Sequence, residues 1–201
     1  SLQGIAVLAC AALLATPALA EDTVIHAGHL LDRPGKAPRG ASTLLVRDGR
    51  ISAVKAGFLE PAALGAAGAR VVDLRERFVL PGLIDCHVHL ESDTGGVAGL
   101  VEDLTLSDAA IAYQTLANGR KTLQAGFTTV RNLGDGTGAT LALRDAVATG
   151  LVDGPRIVDA GRSISTTSGH MDAWLGLREE LHESISHDNV CDGVESCRRA
   201  V

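Results

Sequence analysis

The sequence predicts an α/β protein in which a small β unit precedes a parallel sheet with crossover helices. From about residue 80 onward, apolar strand-like runs alternate with helical patterns, which is typical of parallel strands joined by helices. Polar and glycine-rich segments follow these strands, at the end of the sheet where α/β folds place their active sites. Before residue 80, two apolar runs meet at Asp48-Gly49, a strong signal for a two-residue hairpin turn.

The predicted β unit covers residues 22–78 and is expected to be antiparallel. Its elements are a strand over 23–32, a hairpin over 42–57 and a strand over 70–74. The charged residues 75–77 are predicted to form a turn, after which a further strand leads into residues 79–90.

Residues 79–201 form the predicted α/β part. After the first strand, two further strands are expected over 127–135 and 155–166, and helices over 107–126, 137–154 and 192–201. Ser107 is the predicted N-cap of the first of these helices and Gly126 its stop. Asp192 is the predicted N-cap of the last one.

The first twenty residues are predicted to be a signal peptide. Residues 4–16 are small or apolar and uncharged, and Ala18-Leu19-Ala20 fits the small-x-small rule for signal peptidase. The run is shorter than the roughly 20 apolar residues of a membrane span, so no stable membrane anchor is expected. The chain is therefore predicted to belong to a periplasmic or secreted bacterial protein. A buried N-terminal helix, or a lipoprotein cysteine at Cys10, is the alternative.

Charge and composition exclude nucleic acid as a partner. The chain carries 18 basic and 24 acidic residues, a net charge of −6, and only 2% aromatic residues. It therefore offers neither a basic stripe nor an aromatic platform for bases.

Cys191 and Cys197 are the candidates for a disulfide. An exported protein folds where disulfides persist. Residues six apart in a regular helix lie on different faces, so a bridge requires Cys191 to lie outside the first helical turn. The pattern leaves both outcomes open.

The stretch VLPGLIDCHVHL, residues 79–90, brings two histidines to the end of an apolar strand. Side chains two apart on a strand share a face, so His87 and His89 are expected to project together as half of a metal site. By the same rule Asp85 joins that face, where it would orient an imidazole through a hydrogen bond. The alternatives are two surface histidines and a simple polar strand residue.

Four longer stretches together resemble the amidohydrolase superfamily, in its imidazolonepropionase-like and dipeptidase-like branch. They are LLVRDGRISAV (44–54), LPGLIDCHVHL (80–90), LQAGFTTVRNLG (123–134) and GPRIVDAGRSISTTSGH (154–170). The family's first barrel strand carries a His-x-His metal pair, in the place of His87 and His89.

The resemblance implies a (β/α)8 TIM barrel, of which this chain would supply about the first three βα units after part of a small β-sandwich domain. It also implies one or two divalent metals, usually Zn²⁺, and a hydrolase of amide, peptide or cyclic amide C–N bonds that uses a metal-activated water. The expected export favours a dipeptide or similar small molecule as the substrate.

Two further residues are candidates for substrate binding. His170 lies in the loop after the third strand, where the branch often carries a Gly-Gly-His-Gly loop, and a solvated loop histidine is the alternative. Asn132 ends the second strand, where the family often has an aspartate, so a polar role is expected. The remaining histidines outside the first twenty residues are predicted to be surface residues: His26, His29, His182 and His187.

The family's other metal ligands, and the aspartate that takes a proton from the attacking water, come from the fourth and later barrel strands. No catalytic residue is therefore expected within these 201 residues, and the chain is predicted to be an N-terminal fragment or the product of a truncated gene. A non-catalytic barrel fragment with a partial metal site is the alternative function. Substrate identity, metal count and oligomeric state are left open.

Overall fold

The computed structural model describes residues 21–201, and the predicted signal peptide lies outside the described residues. The chain divides between Pro81 and Gly82 into two compact units. Among the described residues, no helix combines the length and the hydropathy that a membrane span requires.

The first unit is a four-stranded sheet in the order β3-β2-β1-β4. Its strands are β1 (Thr23–Leu30), β2 (Ser42–Arg47), β3 (Arg50–Ala56) and β4 (Arg70–Val79), and a 3-10 helix covers Pro61–Leu64. The hairpin predicted at Asp48-Gly49 is confirmed: both residues have positive φ, 49° and 71°, as a two-residue turn between twisted strands requires.

The prediction of a wholly antiparallel β unit is wrong for one pair, because β1 and β4 run parallel. The turn predicted at residues 75–77 is also wrong, since β4 is continuous from Arg70 to Val79. The charged residues are accommodated by a bulge instead: the register moves from Ala27 opposite Leu74 to His29 opposite Phe78. A charged run can bulge within an edge strand without leaving it.

The second unit contains a three-stranded parallel sheet in the order β5-β6-β7. Its strands are β5 (Leu83–Val88), β6 (Phe127–Asn132) and β7 (Arg156–Asp159), and its helices are α1 (Gly96–Thr105), α2 (Asp108–Gln124), α3 (Ala139–Ala148) and α4 (Val194–Ala200). A 3-10 helix covers Glu179–Ser184. The core of this unit is aliphatic, with Leu90, Val130, Leu143 and Ile157 buried at its centre.

The cap signals at α2 are confirmed. The Ala110 backbone N–H donates to the Ser107 hydroxyl, and Gly126, with φ of 97°, follows the helix end. Helix α1 was not predicted, because residues 91–106 carry no strong start signal; its N-cap Gly95 offers no side chain. β6, α3 and β7 are shorter than predicted.

The Cys191–Cys197 disulfide is present, with the Cα atoms 4.8 Å apart. It forms because α4 begins at Val194, which leaves Cys191 outside the first turn. Asp192 is not the N-cap as predicted. Gly193 takes that position, while the Asp192 carboxylate accepts a short hydrogen bond from the Thr167 hydroxyl.

We expect Gly28→Ala to destabilise the first unit by about 1–3 kcal/mol, the usual range for overpacking. A Cβ at Gly28 would lie 2.0 Å from the Arg75 carbonyl oxygen, within the β1–β4 bulge. Gly40→Ala is the matched control, since a Cβ there meets no atom within 4 Å. Thermal unfolding of the two variants measures the difference, and equal melting temperatures would contradict this account of the bulge.

Candidate functional site

The carboxyl ends of β5, β6 and β7 lie at one edge of the parallel sheet, as their register requires. The segments that follow them line a cavity of about 430 Å³. Two predicted site residues meet there, since His89 and His170 both line the cavity. Other polar residues on its wall include Glu91, Asp135, Arg162 and Asn189.

The His87 and His89 rings are neighbours, with centroids 5.3 Å apart and planes inclined by 67°. Both residues are exposed. Two imidazoles that share a tetrahedral metal at ordinary Zn–N distances have centroids about 5 Å apart. The donor type and the spacing therefore fit a divalent metal. Within residues 21–201, however, no group of three or more His, Cys, Asp or Glu side chains is placed to hold an ion.

A β-bulge lies directly before the histidine pair. Asp85 pairs with Val130 and Val88 pairs with Asn132. Two residues of β5 therefore lie between these pairs, but only one residue of β6. Cys86 and His87 have no paired residue in β6. The bulge therefore shifts the alternation of β5 by one residue.

The bulge changes what Asp85 contacts. The same-face rule predicted that its carboxylate accepts a hydrogen bond from an imidazole, but the shifted alternation removes that alignment. The Asp85 Oδ1 instead accepts from the backbone N–H of His87, at 3.0 Å. The Cys86 carbonyl oxygen, on the other side of the same peptide group, accepts from Arg131 Nε at 2.8 Å.

The peptide groups of Leu90, next to His89, are held by two asparagines. The Leu90 N–H donates to Asn132 Oδ1 and the Leu90 carbonyl accepts from Asn118 Nδ2, each at 3.0 Å. Leu90 itself is buried in the core. The backbone beside His89 is thus fixed from β6 and from α2.

Asn132 does not face the cavity. Its side chain is fully buried, and its Nδ2 donates to the Gly134 carbonyl at 2.7 Å and to Asp159 Oδ2 at 3.2 Å. The amide thereby links the ends of all three parallel strands. Contact with a substrate would require breaking one of these bonds.

Gly134 lies between Ser163 and the His89 ring, at a position that a side chain would strain. Its φ is 144°, and a Cβ there would lie 2.9 Å from Ser163 Oγ and 3.7 Å from the ring. A side chain at this position would crowd Ser163 and strain the backbone.

Glu91 and Asp135 form a carboxyl pair that the sequence reasoning missed. Glu91 accepts from the Gly136 N–H at 2.7 Å and from the Thr137 hydroxyl at 2.6 Å, and Asp135 accepts from the Gly138 N–H at 2.7 Å. The sequence signal was an acid two residues after His89 and an aspartate three residues before the N-cap of α3.

The surroundings of the two carboxyls shift their pKa values in opposite directions. Burial raises the pKa of the Glu91 carboxyl, and the neighbouring Asp135 carboxyl raises it further. Burial also opposes ionisation of Asp135, but the neighbouring Glu91 carboxyl and the backbone N–H groups that donate to Asp135 prevail and lower the pKa of Asp135. Since both carboxylates bind backbone donors, the pair ties the loop after β5 to the start of α3.

His170 lies exposed on a long loop that is closed at its base. The Ser165 N–H donates to the Asn189 carbonyl at 3.0 Å, and the Cys191 N–H donates to the Ser165 carbonyl at 2.8 Å. The Asn189 amide also donates to the Met171 carbonyl at 2.8 Å. The loop thus forms an ordered wall of the cavity.

Three of the histidines predicted to be surface residues are not. His182 and His187 are half-buried and stack on Trp174, with ring centroids 4.5 and 3.6 Å from it. His26 is buried in the first unit, with Nε2 2.9 Å from the Leu59 carbonyl oxygen. The sequence did not predict the burial of the two loop histidines, because stacking on a tryptophan elsewhere in the loop produces no periodic pattern.

Comparison with known proteins gives several consistent relatives. The amidohydrolase family model matches residues 78–200. Ochratoxinase of Aspergillus niger is 29% identical over 196 residues, covering 90% of this chain and 39% of ochratoxinase. Imidazolonepropionase of Klebsiella pneumoniae (strain 342) is 44% identical over 77 residues, or 38% of this chain and 16% of that protein.

Solved structures also resemble this chain. A Xaa-Pro dipeptidase with methionine bound in its active site has a TM-score of 0.77 and 31% identity, covering 90% of this chain and 43% of the dipeptidase. A prolidase in complex with N-methylphosphonate-L-proline has a TM-score of 0.70 and 32% identity, covering 89% of this chain and 42% of the prolidase.

The chain spans about two-fifths of the length of ochratoxinase and of these two peptidases. The family match covers more than half of the chain and includes both histidines of the pair. The chain therefore belongs to the amidohydrolase family.

Proposed function

We propose that the whole protein is a metal-dependent hydrolase of C–N bonds. In this proposal residues 79–201 supply the first three βα units of a (β/α)8 barrel, and residues 22–78 supply part of a β-sandwich domain. The observation that carries the proposal is the His87–His89 pair, with ring centroids 5.3 Å apart, one ring of which lines a cavity at the carboxyl ends of parallel strands.

His87 and His89 would hold a divalent metal, Zn²⁺ in our proposal, through ring nitrogens. A bound metal of this type lowers the pKa of a water ligand and polarises a carbonyl. Catalytic zinc sites use about three protein ligands, so this pair is part of a set. We place the remaining ligands, and the group that accepts a proton from water, in the part of the relatives that this chain does not match.

The cavity supports a small substrate. Its volume of about 430 Å³ lies in the range of small-molecule sites, and Arg162, His170 and Asn189 give it polar contacts. We propose a dipeptide or a similar amide, because two of the similar structures are a Xaa-Pro dipeptidase and a prolidase. The local match to imidazolonepropionase supports a cyclic amide as the second candidate.

We also propose that the protein is exported to a bacterial periplasm or secreted. The proposal rests on the apolar run and the Ala18-Leu19-Ala20 site within the first twenty residues. The Cys191–Cys197 disulfide agrees with an oxidising compartment.

We expect His87→Ala and His89→Ala each to weaken metal binding by the whole protein at least ~10-fold and to abolish hydrolysis of dipeptides, because each removes a ligand. His29→Ala is the matched control, since His29 is exposed and stacks on Phe78 in the first unit. Metal content by elemental analysis and turnover of a dipeptide and an imidazolone panel are the measurements. Undiminished metal content and turnover in both variants would reject the ligand assignment. Metal binding without turnover in the unmodified protein would favour the non-catalytic barrel fragment.

We expect Asn132→Ala to lower stability by about 1–3 kcal/mol, because it leaves the buried Leu90 N–H without its acceptor. Metal affinity should fall with it, as the backbone beside His89 loosens. Asn118→Ala, which frees the Leu90 carbonyl, should act in the same direction. Raised KM alone, with metal affinity and melting temperature intact, would instead assign Asn132 to substrate contact.

A further inference from the structure

The strand that carries the histidine pair is irregular where the pair begins. Between Asp85 and Val88, β5 contains one more residue than β6. An extra residue exchanges the two faces of a strand for all residues beyond it. This irregularity therefore decides which way His87 and His89 point.

The packing shows which residues of β5 face the core and which face away from it. Val88 packs against the buried cluster of Leu90, Val130, Leu143 and Ile157. His87 and His89 flank Val88 and are both exposed. With Asp85 fixed opposite Val130, a strand of regular alternation would place Val88 on the exposed face and turn both imidazoles toward the aliphatic core.

The bulge leaves the Cys86–His87 peptide group without a residue opposite in β6. Each end of that peptide group is bound by a side chain instead. The His87 N–H donates to Asp85 Oδ1 at 3.0 Å, and the Cys86 carbonyl accepts from Arg131 Nε at 2.8 Å. Hydrogen bonds to charged side chains are stronger than neutral ones, so both favour the bulged conformation.

We propose that Asp85 and Arg131 are positioning residues that hold this bulge, and that they aim His87 and His89 at the cavity by acting on the backbone. The inference rests on the proposed metal-dependent function and adds to it. It assigns Arg131 a role, and it assigns Asp85 a backbone contact in place of the imidazole contact that the sequence predicted.

The test measures Zn²⁺ and Co²⁺ dissociation constants of the whole protein, the visible spectrum of its Co²⁺ form and the melting temperature of its metal-free form. Asp85→Ala and Arg131→Ala are expected to weaken metal binding about 10–100-fold, the range for residues that orient ligands, and to alter the Co²⁺ spectrum. Asp85→Asn keeps the Oδ1 acceptor and should bind within about 3-fold of the unmodified protein. Arg131→Lys keeps a donor but lacks the planar guanidinium, so its metal affinity should lie between those of the unmodified protein and Arg131→Ala.

Arg156→Ala is the matched control, since Arg156 is an exposed arginine on β7 that is paired with β6 through its backbone. It should leave the dissociation constant and the spectrum unchanged. In the double variant Asp85→Ala/Arg131→Ala, the fold-loss of metal affinity should be smaller than the product of the two single fold-losses. The reason is that both side chains hold one peptide group.

The outcomes separate the two proposals. If His87→Ala and His89→Ala lose the metal while Asp85→Ala and Arg131→Ala keep the original affinity and spectrum, the bulge proposal is overturned and the metal site stands. If the unmodified protein binds no divalent metal, both are overturned. Should Asp85→Ala fail to fold, the Arg131 series decides: equal weakening in Arg131→Lys and Arg131→Ala, accompanied by an equal fall in apo melting temperature, would reduce the role to stability and reject positioning.

Discussion

The second unit depends on one constraint, the two-residue alternation of β5 at its carboxyl end. Val88 must enter the aliphatic core while the two imidazoles beside it face outward. A strand meets both demands only in one register. The bulge at Cys86–His87 sets that register relative to the earlier part of the strand, and the side chains of Asp85 and Arg131 satisfy the peptide group that it exposes.

Side-chain hydrogen bonds also hold the backbone beyond the end of β5. Both peptide groups of Leu90 are bound by buried asparagine side chains. The imidazoles are thus held through their backbone, on a strand whose neighbours are packed. Side chains on such rigid supports lose little conformational entropy when they bind a ligand, which is the advantage of preorganisation.

The loops around this rigid edge provide the chemical variety of the cavity wall. The long loop that carries His170 is closed at Ser165 and Cys191, and its interior is filled by Trp174 between two histidines. The Glu91–Asp135 pair joins two further loops through backbone donors. Polar groups fixed around a small cavity are typical of small-molecule sites, and the similar proteins have different named activities.

The sequence by itself determined what local chemistry controls: the strand–helix alternation, the Asp48-Gly49 hairpin, the Ser107 cap and the adjacency of His87 and His89. Each depends on residues within one turn or one strand, where spacing and residue type decide the conformation. Only the tertiary structure decided the parallel pairing of β1 with β4, the bulges in β4 and β5, the atom that Asp85 contacts, the burial of Asn132 and the Glu91–Asp135 pair. These depend on register between segments far apart in the sequence, such as those that pair His29 with Phe78. Register is fixed by packing across the sheet, which the sequence of a single strand does not encode.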